Sequence, residues 1–106
     1  MAEVLTIEEL RSRIDVIDEQ LLRLLNVRVA CAVEVGRLKH EAGLPIYQPE
    51  REAQVLGRVR QSATELAGPL TAEAVVRIFE RIIDEARRAE RAASVRGDGL
   101  GPSIGD

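Results

Sequence analysis

Apolar residues along the first forty positions of the chain recur at steps of three and four, the period of one helix face. This stripe, interrupted by one arginine, consists of Leu10, Ile14, Ile17, Leu21, Leu24, Arg28, Cys31, Val35 and Leu38. It predicts a helix from about Thr6 to about Glu41, which opens on the capping-box string TIEE and ends before Gly43 and Pro45. Such a helix is roughly 50 Å long, too long for a globular monomer of this size, and therefore predicts a partner chain.

Two shorter helices are predicted after the first. A loop occupies 42–48, and Pro49 suits the first position of a helix that carries PEREAQVLGRVRQSA. The string AGP at 67–69 interrupts the helical pattern, and Thr71 then caps a third helix, in which two acids, Glu73 and Glu80, point outward. The inward face of this third helix is predicted to consist of Val75, Val76, Phe79, Ile82, Ile83, Ala86 and Ala89.

Composition favours an all-α fold. Tyr47 and Phe79 are the two aromatic residues among 106, so the core must be built from Leu, Ile, Val and Ala, which favour helices over a β-sandwich. Residues 1–95 are expected to form one domain of three helices, the first of them long. Residues 96–106 are rich in glycine and poor in apolar residues, so they are expected to be a disordered C-terminal tail.

Charge, cysteine content and the N-terminal segment exclude several classes of protein. A formal net charge of −3 argues against nucleic-acid binding, and no apolar run is long enough to span a membrane. The segment MAEVLTIEEL lacks the basic and apolar regions of a signal peptide, so a cytoplasmic protein is expected. Cys31 is the single cysteine and is predicted to be a small buried residue. His40 is predicted to be solvated, and no metal site is expected.

Arg28 stands where the apolar stripe calls for a leucine. Its neighbours at three and four positions are Leu24, Leu25, Cys31 and Ala32, and none of them is an acid. An arginine cannot lose its charge by deprotonation, so a buried arginine needs an anion. The sequence therefore predicts that this side chain meets an anion from elsewhere.

Other charged residues could join this arginine in a pocket. Lys39 lies eleven residues further on, close to three full turns, and projects from nearly the same face. Arg11 lies roughly 100° away around the helix, so it would reach across a dimer into the pocket of the partner chain. Glu90 follows the inward face of the third helix, and Arg51 and Glu52 stand in the first turn of the second.

Surface ion pairing is the alternative explanation for these charges, because helices of this kind carry many Arg–Glu pairs on solvated faces. It is favoured for Arg11, Arg51 and Glu52 when each is considered alone. It is also adopted for the other arginines of the helices, namely Arg23, Arg37, Arg58, Arg60, Arg77, Arg81, Arg87 and Arg88.

The chain offers few groups for covalent catalysis. No Ser–His or Cys–His constellation, glycine-rich phosphate loop or HExxH motif is present. An enzyme built from these residues would act by positioning and by fixed charges. Its cationic pocket would bind a small anion with more than one carboxylate.

Four strings in this order resemble the all-helical AroQ class of chorismate mutases. They are LRSRIDVIDEQLLRLLNVR, VEVGRLK, the pattern P-x-x-x-PEREAQVL read from Pro45, and IFERIIDEARRAE. Each string alone is loose, but the ordered set with its spacing is specific, and the resemblance covers about residues 7–93. It implies an intertwined six-helix homodimer in which each long first helix is shared between two pockets.

The resemblance also implies a reaction, the Claisen rearrangement of chorismate to prephenate on the route to phenylalanine and tyrosine. This isomerisation is unimolecular and needs no cofactor. By resemblance, Arg28 binds one carboxylate of this dicarboxylate, and Arg11 of the partner chain binds the other. Lys39 would donate a hydrogen bond to the ether oxygen, and Arg51 would line the pocket.

The remaining site residues implied by the resemblance include three departures from the family's pattern. Glu52 would accept a hydrogen bond from the C4 hydroxyl, helped by the backbone of Gln48, where the family often has an acid. Ala86 stands where some members have a serine that contacts the ring-side carboxylate. Glu90 stands where the family often has a glutamine that donates to the ether oxygen, so this carboxyl must be protonated to act in the same way.

Two other functions fit the same sequence. A related lyase on this scaffold would cleave pyruvate from isochorismate, also in a cationic pocket for a dicarboxylate. A helical dimerisation module without catalytic activity would not need Arg28 and Lys39 on inward faces. The intact strings VEVGRLK and PERE favour the mutase.

Overall fold

Three α-helices follow one another in the computed structural model, which describes residues 4–45 and 47–95. They are α1 (Ile7–Ala42), α2 (Pro49–Leu66) and α3 (Ala72–Val95). The described residues contain no strand, so the predicted all-α fold with three helices and a long first helix is confirmed. The predicted disordered tail at 96–106 lies outside the described residues.

The helices begin and end at the signals predicted for them. Thr6 and Glu9 form the capping box, because Thr6 Oγ1 accepts from the Glu9 amide at 3.0 Å and Glu9 Oε1 accepts from the Thr6 amide at 2.8 Å. Gly43 ends α1 in the left-handed conformation, at a φ of 70° that glycine adopts without strain. Thr71 caps α3 through a 3.0 Å hydrogen bond from the Ala74 amide.

α3 packs against both other helices. Arg60 of α2 is paired with Glu73 near the start of α3, whereas Glu52 of α2 is paired with Arg87 near its end. The order of these pairs shows that α2 and α3 run antiparallel.

α1 and α3 run in the same direction. Arg28 lies over Phe79, and Gly36, further along α1, lies against Glu90, further along α3. The N-terminal half of α1 extends beyond this contact, and the molecule measures 60 Å along its longest axis.

The interior between the helices is thin. Val55 and Ala86 are the buried apolar residues among those described, with 9% and 4% of their surfaces exposed. The predicted inward face of α3 is confirmed, since its residues are buried or half-buried, while Glu73 and Glu80 are exposed.

The face of α1 that meets α3 is not the leucine stripe. Leu21 and Leu24 of the stripe are 51% and 66% exposed. The half-buried apolar residues lie roughly a third of a turn around the helix, and all of them are smaller than leucine: Val29, Ala32, Val33 and Gly36. The predicted burial of Cys31 is wrong for the chain described, because this residue belongs to the stripe that turns away from α3 and is exposed.

None of the helices in the described part of the chain is both long enough and apolar enough to cross a membrane.

Candidate functional site

Arg28 and Lys39 lie on α1 at the boundary between its α3-facing side and its exposed apolar stripe. The two positions are about 20° apart around the helix, at about 100° per residue. Both residues are half-buried. The folded chain thus places two cations on one edge of the interface between α1 and α3, about three turns apart.

The Arg28 guanidinium is held against an aromatic ring. Its central carbon lies 6.0 Å from the centroid of Phe79, within the range of a cation–π contact. Among residues 4–45 and 47–95, no carboxylate lies within ion-pair distance of this guanidinium. The ring orients Arg28 without neutralising it, so the guanidinium retains its capacity to bind an anion.

Glu90 reaches from α3 to the backbone of α1. Its Oε1 lies 3.4 Å from the position that a Cβ on Gly36 would occupy, so the missing side chain leaves room for the carboxyl. Burial is the largest effect on this carboxyl and holds its pKa above the usual value. The positive charges of Lys39, Arg87 and Arg91 lower this pKa, and the negative charge of Glu52 raises it.

Glu52 is held by an ion pair that crosses from α2 to α3. Arg87 Nε donates to Glu52 Oε2 at 2.9 Å, and Nη2 of the same guanidinium also contacts this oxygen. The third nitrogen, Nη1, donates to Asp84 Oδ1 at 3.1 Å. Arg87 thus forms an Arg–Glu pair, as expected, but the pair joins two helices and both of its residues are half-buried.

The sequence contains one signal that could have identified Arg87 as a site residue. It lies three positions before Glu90, and residues three apart share a helix face. Its partner Glu52 is on another helix, and helical periodicity alone does not give the register between two helices.

Gln48 and Arg51 lie at the start of α2. The Gln48 carbonyl accepts from the Arg51 and Glu52 amides at 3.1 and 3.3 Å, so this carbonyl is engaged in the first turn of the helix. Arg51 is exposed, and its Nη1 donates to Gln54 Oε1 at 2.7 Å. Gln48, Arg51, Gln54 and Glu50 line a shallow surface depression.

Arg11 and Ala86 have contrasting positions. Arg11 is exposed on the N-terminal half of α1, about 25 Å along the helix from Arg28, so it does not join the other site residues within one chain. Ala86 is 4% exposed. It lies one helical turn before Glu90 on the same face of α3. Its methyl group offers no hydrogen bond where a serine hydroxyl would.

Four residues from all three helices interact electrostatically in one region, and we call them the charged cluster: Lys39, Glu52, Arg87 and Glu90. The cluster combines two cations, a carboxylate paired with Arg87, and a carboxyl that burial favours in its neutral form. It can therefore donate hydrogen bonds to the oxygens of an anion and accept a hydrogen bond from a hydroxyl group of the same ligand. Within the described ranges no three His, Cys, Asp or Glu side chains are grouped to hold a metal ion.

The family profile that matches this chain is that of chorismate mutase type II. The match covers residues 10–91, and these residues include most of α1, all of α2 and most of α3. The Arg28–Phe79 contact and the whole charged cluster fall within the matched region.

Individual proteins named as chorismate mutases are also similar to this chain. The chain is 39% identical over 90 residues to the bifunctional chorismate mutase/prephenate dehydratase of Aquifex aeolicus, a match that covers 84% of this chain and 25% of that protein. It is 39% identical over 57 residues to the chorismate mutase of Methanocaldococcus jannaschii, covering 54% of this chain and 58% of that protein. The chain spans about a quarter of the length of the bifunctional relatives that it matches.

A solved structure matches the fold. The chorismate mutase of Thermus thermophilus, in its form II, superposes with a TM-score of 0.73 at 34% sequence identity. The superposition covers 80% of this chain and 93% of that one.

Proposed function

The chain belongs to the chorismate mutase type II family, and we propose that it catalyses the rearrangement of chorismate to prephenate. The observation that supports this proposal is the position of two cations, Arg28 and Lys39, on the same edge of the α1–α3 interface. Arg28 has no carboxylate partner among the described residues, and Lys39 lies near the Glu90 carboxyl, whose pKa its positive charge lowers. A dicarboxylate with a reacting ether oxygen suits this arrangement, because it supplies an anion for Arg28 and an acceptor for Lys39.

The rearrangement needs no nucleophile, no covalent intermediate with the enzyme and no proton transfer. As the C–O bond breaks, negative charge develops on the ether oxygen. A Lys39 ammonium that is already in place stabilises this charge more in the transition state than in the ground state. Arg28, oriented by Phe79, would hold one carboxylate and keep the flexible side chain of the substrate in the compact conformer that reacts.

Glu90 would assist Lys39 as a hydrogen-bond donor to the same oxygen. A carboxyl can donate only when it is protonated, and an ionised one would repel the developing charge. Burial against Gly36 raises the pKa of Glu90, which favours the protonated form that this mechanism needs. The second carboxylate of the substrate would raise this pKa further.

The other site residues of this chain would contact the ring of the substrate and line the pocket. Glu52 would accept from the C4 hydroxyl, close to the Gln48 backbone, and Arg51 would line the pocket. Ala86 provides no hydroxyl, so the hydrogen bond that a serine would make to the ring-side carboxylate would be missing.

A second copy of the chain would complete the pocket. The N-terminal half of α1 exposes its leucine stripe and carries Arg11 away from the other site residues. Packing these stripes together in an intertwined six-helix homodimer would bury the leucines and bring the partner's arginine to Arg28. The two carboxylates of the substrate would then be held by one arginine from each chain, while Lys39 contacts the ether oxygen.

Incubation of the purified chain with chorismate tests the proposal. We expect chorismate to be consumed and prephenate to form, with no added metal or cofactor. Release of pyruvate from isochorismate, without turnover of chorismate, would contradict the proposal and favour the related lyase. Turnover of neither compound would favour a helical dimerisation module without catalytic activity.

A further inference from the structure

The ion pair between Arg87 and Glu52 differs from the other ion pairs of the described residues. Four of the other five join residues three or four positions apart on one helix. The remaining pair, Arg60–Glu73, also crosses between α2 and α3, but its side chains are 51% and 66% exposed, against 38% for Arg87 and 28% for Glu52. Arg87 therefore holds the least exposed carboxylate of any ion pair in the described chain.

The geometry of the pair leaves one carboxylate oxygen open. Nε and Nη2 of Arg87 both contact Oε2 of Glu52, and within residues 4–45 and 47–95 no hydrogen-bond donor lies on Oε1. A carboxylate held through one oxygen can still accept a hydrogen bond through the other. Oε1 is the atom that a substrate hydroxyl would use.

Asp84 holds Arg87 from behind. It lies one helical turn earlier on α3 and accepts from Nη1 of Arg87 at 3.1 Å. All three nitrogens of the guanidinium are thereby engaged. Because the planar arginine fork is fixed at both ends, Glu52 loses little further side-chain entropy when a ligand binds.

We infer that Arg87 is a positioning residue for substrate binding, which fixes the Glu52 carboxylate so that Oε1 can accept from the hydroxyl of the substrate. This inference rests on the proposed function. It goes beyond it because Arg87 itself would not touch the substrate. Such a residue increases the affinity for a ligand that carries a hydroxyl group. This effect requires Glu52 to be present.

The charge of Arg87 has a second effect on the same pocket. Glu90 is faced by Lys39 from α1, by Glu52 from α2, and by Arg87 and Arg91 from its own helix. Arg87 is among the cations that lower the pKa of Glu90, against the larger effect of burial. Removal of this positive charge would raise the pKa of Glu90 further, whereas replacement by lysine would leave it nearly unchanged.

Steady-state kinetics of Arg87→Met and Arg87→Lys test the inference, with Arg81→Met as the matched control. Arg81 is an arginine of the same helix whose ion pair, with Glu85, is a local one. We expect Arg87→Met to raise KM about tenfold with a smaller change in kcat, because the lost contact acts on binding in both ground and transition states. Arg87→Lys should recover part of this loss, and Arg81→Met should match the wild type.

A double-mutant cycle with Glu52→Gln separates positioning from direct contact. In the Glu52→Gln background, Arg87→Met should cause little further increase in KM. The pH at which activity declines should also move upward in Arg87→Met and stay in place in Arg87→Lys. Should Arg87→Met fail to fold, Asp84→Asn provides the same test with a smaller expected increase in KM.

Two results would overturn the inference. One is a KM for folded Arg87→Met, or for Asp84→Asn in its place, that equals the wild-type value within error. The other is an undiminished effect in the Glu52→Gln background, which would mean that Arg87 acts independently of Glu52. Wild-type chain that does not convert chorismate would instead contradict the proposed function, so the two failures are distinguishable.

Discussion

The carboxyl of Glu90 lies against the bare backbone of Gly36, with Oε1 3.4 Å from the position that a Cβ would occupy. A methyl group at this position would just touch the carboxyl, whereas a branched side chain would displace it. Gly57, in the middle of α2, has no atom within 4 Å of the corresponding position. The two glycines thus differ in what a side chain would meet.

Substitutions at Gly36 should separate helix stability from activity. Gly36→Ala should stabilise α1 by about 1 kcal/mol through helix propensity and retain most activity. Gly36→Val should reduce kcat/KM at least about tenfold, because it moves Glu90 away from the ether oxygen. Kinetics and thermal unfolding check this, with Gly57→Ala and Gly57→Val as controls that should leave kcat/KM unchanged. Full activity in Gly36→Val would show that the position of Glu90 is unimportant.

Glu90 should make the activity depend on pH. Its pKa is raised, chiefly by burial, and its protonated form is the one that donates. Activity should therefore be high below this raised pKa and decline as pH increases through it. Glu90→Gln, which donates at any ordinary pH, should flatten the profile and increase activity at neutral pH and above. A pH–rate profile of both proteins checks this, and Glu80→Gln on the exposed side of α3 should behave like the wild type. A profile that is level from about pH 5 to 8 in both would contradict the prediction.

Arg28→Ala and Lys39→Ala should each lower activity far more than stability. We expect kcat/KM to decrease on the order of a hundredfold or more, since each removes a preorganised cation. The stability change should be small, because the contact of Arg28 with Phe79 is worth about 0.5–1 kcal/mol at a partly exposed site. Lys39→Ala should act chiefly on kcat. Denaturant unfolding alongside kinetics checks both, with exposed Arg23→Ala as control. An unchanged kcat in Lys39→Ala would refute the mechanism.

Mixed dimers test whether the pocket is shared. Arg11→Ala and Arg28→Ala chains should each be nearly inactive alone. A heterodimer of the two should regain up to about half of the wild-type activity, because one of its two pockets keeps both arginines. Activity of purified, differentially tagged heterodimers is the measurement. Heterodimers that remain inactive would mean that Arg11 and Arg28 do not serve a common pocket across chains.

Local signals in the sequence are sufficient to predict the helix ends and the inward face of α3. Thr6, Gly43 and Thr71 act on residues only a few positions away, so capping rules identify them without knowledge of the tertiary fold. The inward face of α3 follows from its 3.6-residue period, because this helix meets both α1 and α2 with apolar residues.

Contacts between helices were harder to predict. α1 has two faces that could pack, the leucine stripe and the smaller side chains around Ala32, and periodicity does not say which one meets its own α3. The burial of Cys31 was mispredicted for this reason. The Arg87–Glu52 pair joins residues 35 positions apart, and its existence depends on the register between α2 and α3, which no pattern within either helix specifies.

The opposite directions in which α2 and α1 run along α3 have a consequence for the order of folding. The ion pairs that join α2 to α3 lie 13 and 35 positions apart in the chain. The contact of Arg28 with Phe79 closes a loop of roughly fifty residues. Closing this longer loop costs more chain entropy than closing either α2–α3 loop, and this cost precedes the stabilisation from packing. The α2–α3 hairpin should therefore nucleate first, and the docking of α1 should complete the charged cluster only in the last step of folding.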